Sequence, residues 1–116
     1  MTDTLQGRRV PDGEFLSMQS DGLIRPGDYG FVSFTNAPPK WFNCTPDGEI
    51  GYLASEAEPD RHGCHHVVTE HEDGSISVGG SILGRAVQSE HVGGVGPISS
   101  RGGWHGWLER GVWRSL

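Results

Sequence analysis

Glycine sets the first limit on this chain. It fills nineteen of 116 positions, more than twice its usual share of about 7%. Glycine weakens helix interiors and serves tight turns that need positive φ. Several glycines follow a turn-forming partner between runs of strand formers: Asp21-Gly22, Asp47-Gly48, Asp73-Gly74 and Arg110-Gly111. Asx-Gly between apolar runs is the strongest short-range hairpin signal. The spacing therefore predicts hairpins over "FLSMQSDGLI", "WFNCTPDGEIGYL", "CHHVVTEHEDGSISV" and "WHGWLERGVWRSL". "YGFVSF" is rich in strand formers, and "NAPPK" breaks it, since proline cannot donate to a ladder.

The fold expected is mainly β: a small single-domain antiparallel sandwich or open barrel built from hairpins, with at most one short helix. A chain of 116 residues favours one domain. Residues 1–10 are polar and read as a flexible arm or a borrowed strand. Residues 79–103 hold eight glycines and read as a long Gly-rich loop, with a short helix over Ser81–Glu90 as a local alternative. Loops of that length in compact domains are usually functional or disordered.

Bulk properties exclude several functions. The formal charge is −6, from nine basic and fifteen acidic residues. Phosphate backbones require neutralising Lys and Arg, so direct nucleic-acid binding is not expected. No apolar run approaches the roughly 20 residues of a membrane helix. No charged-then-apolar segment opens the sequence, so the protein is expected to work where it is made. Two cysteines make no disulfide framework, and Cys44 and Cys64 are expected to remain free thiols.

"HGCHHVVTEHEDG" carries four of the six histidines and one of the two cysteines. With a two-residue turn at Asp73-Gly74, His71 pairs with Ile76 and Thr69 with Val78. One face then holds His65, Val67, Thr69, Ile76 and Val78. The other holds Cys64, His66, Val68 and Glu70 with Ser75 and Ser77. Cys64 and His66 would supply two zinc ligands, and Cys44 with His62 or His105 could complete a tetrahedron. The spacing matches no established zinc motif, and half-solvated imidazoles beside a small apolar thiol explain the stretch better than a bound metal does. Catalysis has less support. Cys64 adjoins His65 and His66 in sequence, but adjacent strand residues face opposite ways, so no thiolate–imidazole pair follows.

"GGWHGWLERGVWRSL" contains three of the four tryptophans. Strand alternation puts Trp104 and Leu108 on one face, His105 and Trp107 on the other. Trp104 and Trp113 are expected to be core, and Trp107 with His105 to form a partner-binding surface, since tryptophan favours interface hot spots.

The residues Val78, Ser81 and Ile82, followed after a loop by Trp104, His105, Gly106, Gly111, Val112 and Trp113, resemble the C-terminal part of small uncharacterised phage and prophage proteins, the DUF6527-like group. The resemblance covers the last third of the chain. Some members carry cysteine at the position of Trp104, where a Cys-His pair implies metal binding; this chain lacks that cysteine. The resemblance implies a viral or mobile-element origin, with a place of work in the host cytoplasm or the virion. The function expected is non-catalytic macromolecular binding, as a virion or assembly component or as an inhibitor of a host factor, through a protein partner or self-association. The competing expectation is a zinc protein, structural or hydrolytic, using Cys44, Cys64, His66 and His105.

Overall fold

The computed structural model describes residues 4–60, 63–83 and 104–116. Ten short strands form three sheets, with one helix, and the architecture is mainly β with no closed barrel among the described residues. The first sheet has the order β1-β10-β9-β8, built from Thr4–Gln6, Val112–Ser115, His105–Glu109 and Ile82–Leu83. The second has the order β2-β3-β4-β5, from Arg8–Arg9, Asp28–Val32, Lys40–Cys44 and Ile50–Tyr52. The third is the hairpin β6-β7, Val68–Glu70 with Ile76–Val78. Among the described residues all pairings are antiparallel except β2 with β3.

One core joins all three sheets. Ile82, Leu108 and Trp113 come from the first, Tyr29 from the second, and Ile76 and Val78 from the third; Leu53, just beyond β5, joins them. Trp113 is fully buried, and its indole N–H donates to the Gly27 carbonyl at 2.8 Å. A second cluster lies on the opposite face of the second sheet, where helix α1 (Phe15–Ser20) packs Phe15 against Val10 and Val32. Strand β3 is thus covered on both faces. Gly30 is needed there, because a Cβ would sit 2.6 Å from a Val10 methyl.

The segment expected as the first hairpin is helix α1. Phe15 and Met18 lie at i, i+3, the spacing of one helical face, and both belong to the second cluster. Gly22, at φ 72, ends the helix in a Schellman motif: its N–H bonds Gln19 O, and the Leu23 N–H bonds Met18 O. The same Asp-Gly dipeptide that turns a hairpin here caps a helix.

The Asp47-Gly48 hairpin forms as expected, with Cys44 opposite Ile50. The third hairpin forms in a different register. Glu70 pairs with Ile76, Thr69 with Ser77 and Val68 with Val78. The loop has three residues, Glu72, Asp73 and Gly74, closed by His71 N–H to Ser75 O and Gly74 N–H to His71 O. Asp73 Oδ1 takes the Ser75 N–H and hydroxyl, which fixes the extra residue in the loop. A one-residue shift exchanges faces, so Val68 and Val78 share the inward side and Thr69 pairs with Ser77.

Residues 4–10, read from the sequence as a flexible arm or borrowed strand, build β1 and β2, one in each large sheet. In the segment expected as a Gly-rich loop, Ile82–Leu83 pairs with β9; this replaces the start of the alternative helix at Ser81–Glu90. Residues 84–103 lie outside the described residues.

Candidate functional site

The C-terminal hairpin sorts its tryptophans by register. Trp113 pairs with Leu108, and Arg114 with Trp107. Trp113 and Leu108 are buried. Trp104 packs edge-on against Trp113 at 5.3 Å between ring centroids and donates to Ser115 Oγ at 3.1 Å. Gly106 allows this packing, because a Cβ there would collide with the Arg114 carbonyl and the Trp104 ring.

Trp107 and His105 occupy the outer face of the same strand. Their rings stack at 6.4 Å and 27°, and the Arg114 guanidinium lies 5.9 Å from the Trp107 centroid. Both residues are half-buried. His105 Nε2 is buried without a hydrogen-bond partner. An imidazole, an indole and a guanidinium therefore share one sheet face, with Glu109 tied to Arg114 at its edge.

The four residues considered for zinc are placed as follows. Cys44 is buried in β4, and its burial beside Asp28 and Asp47 pushes the thiol up to about 11. Cys64 is exposed, its N–H held by Asp60 Oδ1. The Cys64–Val67 segment lies outside any strand, so the i, i+2 strand spacing expected for Cys64 and His66 is absent. His66 Nδ1 lies 3.0 Å from the Gly79 carbonyl oxygen, and His105 stacks on Trp107. Among the described residues no group of three His, Cys, Asp or Glu side chains is arranged to hold a metal ion. His62 lies outside the described residues.

Sequence reading missed a cleft of about 680 Å³ where β1, β2, β3 and the tips of two hairpins meet. Gln6, Arg9, Asp12, Tyr29, Asp73 and Arg110 line it. These residues are spread across the chain with no motif linking them. The one local signal was arginine at the first central position of the β9–β10 turn, where Asn, Asp or Gly is favoured.

A third aromatic group lies on the second sheet. Phe34, Phe42 and Tyr52 approach at 6.2 and 5.6 Å, and the Lys40 ammonium sits 4.3 Å from the Tyr52 centroid. Glu58 also pairs with Lys40, so this cation is held internally.

Among the described residues no helix is long and apolar enough to cross a membrane. Set against known family models, curated proteins and solved structures, the chain matches none.

Proposed function

We propose that the protein acts by binding another macromolecule and not by catalysis, with the Trp107–His105–Arg114 face as its contact surface. The carrying observation is the division of the C-terminal tryptophans. Trp104 and Trp113 stabilise the core, whereas Trp107 is placed outside it, flanked by a histidine and an arginine. Tryptophan and arginine are the residue types that dominate binding hot spots. A planar guanidinium beside an indole also offers a carboxylate partner two donors on an apolar base.

The partner envisaged is a protein, either a neighbouring subunit in a virion or assembly intermediate, or a host factor that the protein inhibits. Phage or prophage origin, and work in the host cytoplasm or virion, rest on the C-terminal resemblance alone. The charge of −6 favours a protein partner over nucleic acid.

The test compares affinity capture by the native protein and by Trp107→Ala, with light scattering on each. Loss of a captured partner, or of self-association, in a variant that keeps its melting temperature supports the reading. Undiminished binding by that variant contradicts it.

A further inference from the structure

The cleft between the hairpin tips has a charge pattern that points to a ligand class. Two arginines and two aspartates line it, Arg9 and Arg110 against Asp12 and Asp73, so their formal charges cancel. Arg9 is committed internally. It bonds Asp12, Glu70 and the Gly74 carbonyl and lies 5.0 Å from the Trp41 centroid. Arg110 differs: among the described residues no hydrogen bond, ion pair or ring contact holds its guanidinium.

The Arg110 backbone is nevertheless fixed. Its φ is 46, a left-handed conformation that a long side chain disfavours. Its N–H donates to Ser77 Oγ at 3.0 Å. The next residue, Gly111, donates to Ile76 O at 2.9 Å and accepts from the Gly7 N–H at 2.7 Å. A Cβ on Gly111 would sit 2.9 Å from the Tyr29 hydroxyl, so the turn tip is seated tightly beside that phenol. An arginine with no side-chain partner among the described residues thus stands at a cleft on a rigid mount, in a position its backbone preference opposes. Strained residues of this kind concentrate at functional sites.

The other groups complement it. Asp73 takes both Ser75 donors on Oδ1, leaving Oδ2 lone pairs for a further donor. Those bonds hold its carboxyl below the usual range, hence ionised. Burial raises the Tyr29 phenol, so it remains protonated.

We propose that this cleft binds a small zwitterion, with its carboxylate on the Arg110 guanidinium and its ammonium on the Asp73 carboxylate. A guanidinium takes a carboxylate through two parallel hydrogen bonds. A dianion would be repelled by Asp12 and Asp73, and a dication by Arg9 and Arg110. The chemical class is that of free amino acids and short peptides with free ends. The cleft volume, within the usual range for ligand sites of roughly 300–1,000 Å³, favours the peptide.

The test is an NMR titration of the full chain, following the backbone amides of Gly74, Ser75, Arg110 and Gly111. The probes are glycine, triglycine, triglycine amide and N-acetyltriglycine. Triglycine is expected to give saturable shifts at those amides; saturation by glycine alone would assign the amino acid as the source. Amidation or acetylation should each weaken binding about tenfold, the loss of one charge-assisted pair. In Arg110→Asn the preference for acid over amide should vanish while the melting temperature holds or rises, because asparagine suits the positive φ. In Asp73→Asn the preference for the free amine should vanish. Absence of saturable shifts with both glycine and triglycine overturns the proposal. So does binding at other residues, or discrimination between acid and amide that survives Arg110→Asn.

Discussion

The two faces of the β9–β10 hairpin carry the same residue type to opposite ends. On the inner face Trp113 is fully buried, its N–H bonded to Gly27 O and its ring met edge-on by Trp104. On the outer face Trp107 is half-exposed and touches His105 and Arg114. Alternation along a strand is enough to make one tryptophan a structural element and its neighbour a surface feature. The difference implies that stability and binding are separable by single substitutions in one hairpin.

The largest expected effect is on the inner face. Trp113→Ala should cost about 3–5 kcal/mol and also leave the buried Gly27 carbonyl with only the longer bond from the Arg8 N–H. Urea unfolding followed by far-UV circular dichroism would show it, and a small domain should be largely unfolded by a loss of that size. Gly106→Ala comes next. Its methyl would collide with the Arg114 backbone carbonyl and press on the Trp104 ring at 2.6 Å, forcing the strands apart, at about 1–3 kcal/mol or more. Its unfolding midpoint should fall clearly below that of a control substitution at the exposed Glu109.

Trp107→Ala should be milder. It removes a half-buried ring and a cation–π contact worth about 0.5–1 kcal/mol, so the melting temperature should fall only slightly while partner binding is lost. Arg110→Asn reverses the sign. Relief of the left-handed arginine should stabilise by about 1 kcal/mol, visible as a small upward shift in calorimetry.

The same inside–outside division separates the cysteines. Cys64 is exposed and Cys44 is 3% exposed, so a thiol reagent should label Cys64 at neutral pH and reach Cys44 only on unfolding. The raised thiol of Cys44 also sets an alkaline limit. Its folded-state value is about 11 against an ordinary value of 9.0. The neutral form is the one favoured by folding, so its stabilising contribution is complete below about pH 9 and is lost as pH rises through about 11. Cys44→Ala should flatten that part of the stability profile.

The legible parts of this fold were those that depend on local chemistry. Asp47-Gly48 and Arg110-Gly111 turn hairpins because glycine meets the positive φ each requires, and the facing of Trp104, Trp107 and Trp113 follows from the period of two. The first hairpin misled because Asp21-Gly22 satisfies both a turn and a Schellman cap; the i, i+3 placement of Phe15 and Met18 decides between them. The third misled by one residue, since Asp73 with Ser75 closes a three-residue loop where two residues were expected. That shift changed which side chains share a face with Ile76 and Val78. The cleft was not legible, because Gln6, Tyr29, Asp73 and Arg110 meet only through the pairing of distant strands.

The most direct test of this division is a parallel measurement of urea unfolding midpoints for Trp107→Ala and Trp113→Ala. The structure predicts a Trp107→Ala midpoint close to the native one and a Trp113→Ala protein that is unfolded or nearly so without denaturant. A Trp107→Ala protein that unfolds while Trp113→Ala stays folded would contradict the facing of the hairpin and remove the basis for its outer surface as a binding site.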